Sequence, residues 1–394
     1  MHFELNDCQC VPFFSLGAPL AVVLRAPPPL LKAVALLVTL VNAVFIPLQF
    51  DPTTPVKNVV IFFLVGWLAS FKILGCALGR GPLCSDELTV VGTFITYVLP
   101  INPLPTDSNK RAHTDLTTNV NLNKAMPSSL GYTWDAARHL LLLVVTTSLS
   151  QRLQRLPYGP TGFVHMLGSD LLDALNLYAF IGIIMNVASI GTIHAGQRLL
   201  GFSAIMPHCD RPWLAASVGE FWSRRWNINT GEAIRYLVYD PIVEGSMTKI
   251  NKPNTKKVNQ SEEGATRRRC SDARRVVALA AAFATSGLVH ELFIYQLRGR
   301  PSGHGRWFLF FFLQAPLIVL VDPWLKKLEK SSPWAARAAT IGGQLLLAHY
   351  LFFMPVVELG IVEDIHGGVN HGIRMFLSDW WFSWLYPHSV SNGK

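Results

Sequence analysis

Long apolar runs separated by polar stretches dominate this chain. Five of them approach or reach the length, about 20 residues, that a helix needs to cross the hydrocarbon core of a bilayer: Leu30–Phe50, Val59–Leu78, Leu171–Ile193, Val276–Leu297 and Ala338–Val357. Three shorter runs, Leu88–Ile101, Leu140–Leu149 and Trp307–Val321, suit short spans, re-entrant pieces or interfacial helices. The pattern predicts an all-α fold: a polytopic membrane helical bundle of seven or eight transmembrane helices, forming one membrane-embedded domain over residues 1–394. The short runs are informative, because every backbone N–H and C=O in hydrocarbon must be paired within the protein. Broken segments at membrane depth survive where other helices cover them or where they line a cavity.

Polar stretches complete the layout. Residues 106–129 and 246–271 hold few large apolar side chains and read as flexible loops outside the membrane. Arg267–Arg269, Arg274 and Arg275 precede the Val276–Leu297 run, which puts this side in the cytoplasm by the positive-inside rule and leaves the sequon Asn259-Gln260-Ser261 unglycosylated. The first ten residues contain Glu4 and Asp7 and no Lys or Arg, so the basic start of a cleavable signal is missing.

Composition narrows the class. Half of the residues are hydrophobic and 15% are charged, against about 25% charged in soluble domains. The net charge of +9 fits loop bias. Nucleic-acid binding would need a basic patch on a soluble fold, and none is visible. Of the six cysteines, Cys8 and Cys10 are too close for the usual zinc pairs, and no His or Cys cluster completes a metal site. They read as free thiols.

Two places carry chemistry. His290, in the run Ala284-Thr-Ser-Gly-Leu-Val-His-Glu-Leu292, lies inside an apolar run with Glu291 beside it. Ionisable groups within spans usually face the bundle interior or a wet cavity. On a helix Ser286 and Gly287 share the His290 face, and such small residues leave room for a ligand beside the imidazole. A structural histidine hydrogen-bonded inside the bundle is the competing reading. Glu291 points about 100° away and reads as support. His349, alone in its run, is expected to tolerate Gln. The second place is Glu220-Phe-Trp-Ser-Arg-Arg-Trp-Asn227, which an interfacial amphipathic helix would also explain.

Phe221-Trp222-x-x-x-Trp226-Asn227 followed by Ser286-Gly287-x-x-His290-Glu291 resembles the two signature motifs of the wax synthase-like membrane-bound O-acyltransferases. In size and motif wording the chain is most similar to the fungal members that acetylate terpenoids and meroterpenoids. Asn227 departs from the His that many wax synthases carry at this position and matches the sterol-type motif. The resemblance implies an acyl-CoA-dependent enzyme with no bound cofactor, moving acetyl from acetyl-CoA onto a hydrophobic alcohol in the endoplasmic reticulum membrane, among lipids and without nucleic acid. It also implies His290 as general base. Asn227 would then polarise or position the thioester, with Glu291, Trp226, Phe221 and Trp222 in support. Arg224 and Arg225 suit coenzyme A phosphates or anionic lipid headgroups. A long-chain alcohol or sterol acyltransferase is the alternative within the class. A transporter with His290, Glu291 and Lys72 as a relay is the rival outside it.

Overall fold

The computed structural model describes residues 28–48, 55–104, 129–154, 162–202, 204–248 and 263–361, with 364 and 367. The regular elements among them are helical, and the one β contact is an isolated bridge between Pro103 and Ile205. Most of the two expected loops, and Asn259, lie outside the described residues. The second loop is also shorter than its sequence suggests. Residues 263–271 belong to a continuous helix, Glu263–Arg298, because a proline-free stretch rich in Ala and Arg carries the helix beyond the bilayer.

In chain order the long elements are α1 (Pro28–Leu48), α2 (Asn58–Ala77), α3 (Val90–Val98), α4 (Ser129–Gln154), α5 (Gly162–Leu200), α6 (Glu263–Arg298), α7 (Arg306–Phe312), α8 (Gln314–Leu320), α9 (Asp322–Ser331) and α10 (Pro333–Glu358). Four helices, within α2, α5, α6 and α10, are long and apolar enough to cross a membrane, and a fifth if α7–α8 and α9 count as one span bent by 59°. The expected seven or eight spans are therefore four or five among the described residues. Leu30–Phe50 falls short, its described apolar helix being Pro29–Asn42, and the three short runs account for the rest. Leu88–Ile101 yields only the nine residues of α3, and Trp307–Val321 is the bent piece. Leu140–Leu149 sits in α4, whose Asp135, Arg138 and Arg152 dilute its apolar character. Yet α4 is turned inside out: Thr146, Thr147 and Ser150 are buried, whereas Leu141, Val145 and Leu149 are exposed. A helix against lipid takes this arrangement, because its polar groups need partners inside the protein.

Lys72 shows the same rule. It is 1% exposed, and its Nζ donates to the carbonyls of Thr96, Leu99 and Ile101 at 2.7, 2.6 and 3.0 Å. A cation at the C-terminal end of a short helix satisfies carbonyls that have no helical partner. With all three protons engaged, Lys72 is no free member of a relay. Wide π-helical turns recur at Phe62–Ala69, Phe221–Arg225 and His349–Phe353. Such turns are rare and favour functional sites.

Candidate active site

His290 stands on α6 within an aromatic box. Phe311 of α7 stacks on it at 4.1 Å, and Phe63, Trp67 and Trp307 approach at 5.4, 5.5 and 5.7 Å between ring centres. Its Nδ1 lies 2.7 Å from the Ser286 carbonyl one turn earlier. A carbonyl can only accept, so Nδ1 carries the proton and the neutral ring keeps its lone pair on Nε2. Nε2 has no protein partner among the described residues. A half-buried imidazole among rings, with one nitrogen tied and the other open, is suited to taking a proton from a bound hydroxyl.

Gly287 does not leave the expected space. A Cβ there would lie 2.9 Å from the Phe308 Cα and from the Phe308 carbonyl oxygen, so the missing side chain lets α7 pack against α6.

Glu291 faces the α6–α7 connection. Its Oε2 accepts from the Ser302 N–H at 3.0 Å, and its Oε1 accepts from the Phe308 N–H at 3.1 Å and from the Ser302 hydroxyl. Ser302 Oγ in turn accepts from the Trp307 N–H at 2.8 Å. Three consecutive residues, Gly303, His304 and Gly305, have φ of 49°, 64° and 80°. Glu291 thus fixes a left-handed turn that delivers Trp307 to the box, and its carboxylate is filled by protein donors.

The second motif is built by its own caps. Ser217 Oγ accepts from the Glu220 N–H at 3.1 Å while Glu220 Oε2 accepts from the Ala216 N–H at 2.8 Å, a reciprocal capping arrangement. The buried Asp322, at the start of α9, accepts from the N–H groups of Val218 and Gly219 at 2.8 and 3.0 Å. A wide turn follows and closes with the Trp226 N–H on the Phe221 carbonyl at 2.9 Å. Trp226 stacks on Phe221 at 5.8 Å. Trp222 donates Nε1–H to Gln314 Oε1 at 3.0 Å and meets the Phe311 ring at 5.8 Å. Phe311 therefore bridges the two motifs.

Asn227 ends the wide turn in the left-handed region, φ 42°. A strap, His208–Asp210, holds it there: the Asn227 N–H donates to Cys209 Sγ at 3.4 Å, and the Ile228 N–H to the His208 carbonyl at 2.8 Å. Burial pushes the Cys209 thiol up to about 12, so it stays neutral. The Asn227 side chain makes no hydrogen bond among the described residues, and its Oδ1 is buried without a partner. Asn227 makes no hydrogen bond to His290. The motifs meet through Trp222 and Phe311.

The two arginines part company. Arg225 grips Glu220 Oε1 through Nε and Nη2 at 2.8 and 2.6 Å and the Asp210 carbonyl through Nη1 at 3.1 Å. The Arg225 fork is thus held internally, against Glu220 and Asp210. Arg224 is exposed. His349 is not alone either: its Nδ1 lies 3.0 Å from Asp170 Oδ1. Phe311, Trp307, Phe63, Trp67, Gln314 and Asp322 escape a reading of motifs, since most belong to apolar runs like any lipid-facing segment. A buried carboxylate at the Trp307–Val321 boundary was the one available hint.

Helices that expose apolar faces around a half-buried imidazole ringed by aromatics define an integral membrane protein. Residues 205–313 match the membrane bound O-acyl transferase family, a stretch that contains both motifs. A probable long-chain-alcohol O-fatty-acyltransferase 3 of Arabidopsis thaliana is 26% identical over 77% of this chain and 75% of its own length. An acyl-CoA–sterol O-acyltransferase 1 of the same plant is 28% identical over 62% of this chain and 59% of its own. The long-chain-alcohol O-fatty-acyltransferase of Simmondsia chinensis is 25% identical over 84% and 83%. The chain is an acyl-CoA-dependent O-acyltransferase, homologous to the wax synthase-like enzymes.

Proposed function

We propose that this enzyme transfers an acyl group from coenzyme A to the hydroxyl of a ring-bearing apolar alcohol, with His290 as general base. The observation that carries the reading is the His290 imidazole, tied at Nδ1 to Ser286 and open at Nε2 within the aromatic box. Nε2 takes the hydroxyl proton as the oxygen attacks the thioester carbonyl. The C–S bond then breaks, and the departing thiolate takes the proton back from the imidazolium. General-base help of this kind contributes about 10² to 10⁴ in rate. Asn227, whose side-chain amide is uncommitted, donates to the oxyanion or orients the thioester. Arg224 meets the coenzyme A phosphates.

Flat ring walls suit a polycyclic acceptor, because aromatic faces bury rigid apolar skeletons with little loss of conformational freedom. Our reading of the substrates is acetyl-CoA with a terpenoid or meroterpenoid alcohol, in the endoplasmic reticulum membrane. The similarity to long-chain-alcohol and sterol acyltransferases favours a second reading, with a fatty acyl donor and a sterol or long-chain alcohol acceptor. Membranes from an expressing host, given labelled acetyl-CoA or palmitoyl-CoA with a sterol, a terpenoid alcohol or hexadecanol, decide between them. Transfer of acetyl to the terpenoid supports the first. Transfer of palmitoyl to the sterol or hexadecanol supports the second. Label in no ester with any pair refutes both.

A further inference from the structure

Asp170 and His349 form a buried pair between two spans that the mechanism above does not use. Asp170 lies on α5 and His349 on α10, their side chains 5% and 18% exposed, with His349 Nδ1 3.0 Å from the carboxylate. A carboxylate inside a span is costly and persists where it has a partner and a task. Its partner opens a wide turn: the Met354 N–H bonds the His349 carbonyl five residues back. Such turns are rare, occur mostly as single turns inside α-helices, and are frequent at functional sites.

That turn leads to the active site. Its Phe352 carbonyl accepts from Trp307 Nε1–H at 2.8 Å, and the Phe352 ring stacks on Trp307 at 4.5 Å and 3°. Trp307 stands against His290 at 5.7 Å. We propose that Asp170 and His349 are positioning residues for His290: their hydrogen bond sets the wide turn, the turn holds Trp307, and Trp307 holds the imidazole. The inference rests on the general-base reading of His290. Displacement of a reacting group by about 1 Å costs about 10²-fold in rate, so a remote pair of this kind acts on kcat rather than on acyl-CoA binding.

The test uses purified full-length enzyme. His349→Phe keeps the ring and removes the donor. It is expected to lower kcat about 10-fold to 100-fold with the acyl-CoA KM within about twofold. His349→Asn and Asp170→Asn each keep a donor–acceptor pair and are expected to keep kcat within about threefold, a rescue that general loosening of the bundle would not give. Folded His349→Phe with wild-type kcat overturns the proposal, as does a rise in KM that accounts for the whole loss. If His349→Phe does not fold, the Asn variants decide: a fall in kcat of more than about tenfold in either folded variant overturns it. His290→Ala in the same assay separates the two claims. A folded, active His290→Ala refutes the base assignment. An inactive one beside a fully active His349→Phe refutes the pair alone.

Discussion

Glu291→Gln distinguishes a carboxylate that builds the site from one that takes part in the reaction. In the structure one oxygen receives Ser302 Oγ–H and Phe308 N–H, and the other receives Ser302 N–H. Gln keeps one acceptor oxygen, which can retain the first two bonds. Its amide NH₂ then meets the Ser302 N–H, donor against donor, and that bond is lost. A hydrogen bond to a charged group contributes about 1.5–3 kcal/mol, an upper figure here because Glu291 is only half-buried. The expected result is a fall of a few degrees in the thermal midpoint of the detergent-solubilised enzyme. Transfer should stay within about tenfold of wild type, because His290 is untouched. Glu291→Ala strands all three donors and should lose about two to three times as much stability, together with most of the activity, as Trp307 leaves the box. A thermal-shift measurement paired with turnover on each variant reads both effects. Wild-type stability in Glu291→Gln with transfer down by about 10² or more would mean that the charge itself serves the chemistry. The reading of Glu291 as the holder of the α6–α7 turn would then be wrong.

The remaining predictions address other parts of the site and the topology. His290→Ala should abolish transfer by about 10² or more while membrane yield and size in detergent stay near wild type; normal turnover in that variant would remove the base. Asn227→Ala should lower turnover by about 10² with the protein still inserted, and unchanged turnover would take Asn227 out of the site. Burial, with His139 adding to it, holds the His208 imidazole down at about 4 from its ordinary 6.5. Between those values the unfolded chain binds the proton and the folded one does not, so this contribution is complete above pH 6.5 and is lost as pH falls towards 4. His208→Gln should flatten the acid limb of a midpoint-against-pH curve, and an unchanged limb counts against the assignment. Asn259 should remain unglycosylated in a eukaryotic host; a mobility shift on glycosidase treatment, lost in Asn259→Gln, would reverse the orientation.

What could be read from the sequence followed residue chemistry. His290 and Glu291 stand out because ionisable groups are scarce in apolar runs, and Asn227 because it ends an aromatic cluster. Four of the five long runs became the four clearest spans within a few residues, whereas Leu30–Phe50 is met by a shorter apolar helix, Pro29–Asn42. Partnership was hidden. Lys72 and His349 look like stray polar residues until the fold supplies three carbonyls for one and Asp170 for the other. The Asp170–His349 pair is 179 residues apart, and the Asp322–Val218 contact 104. No local pattern records such a meeting. The partner of Arg225 was hidden for a related reason: attraction to phosphate is generic to arginine, and no local pattern records that its fork engages Glu220, five residues away.

The rings of the box were unreadable for a geometric reason. Each residue of an α-helix turns the chain by about 100°, so an apolar helix with rings all round does not say which ring faces inward. Here the choice falls largely to wide turns. Phe63 and Trp67 come from Phe62–Ala69, Trp222 from Phe221–Arg225 and Phe352 from His349–Phe353. A wide turn admits an extra residue and re-aims every side chain after it, so three such turns converge rings from three separate elements around the Phe311–His290–Trp307 cluster. Each turn contains or adjoins a polar anchor: Asn42 to Ser70 just after the first, Asp322 on Val218 and Gly219 before the second, and Asp170 on His349 at the head of the third. These three polar contacts thus lie where backbone irregularities must be held in place, and the irregularities shape the site. His290 keeps Nε2 open at the point where these rings converge, and that placement among Phe311, Phe63, Trp67 and Trp307 carries its assignment as the base.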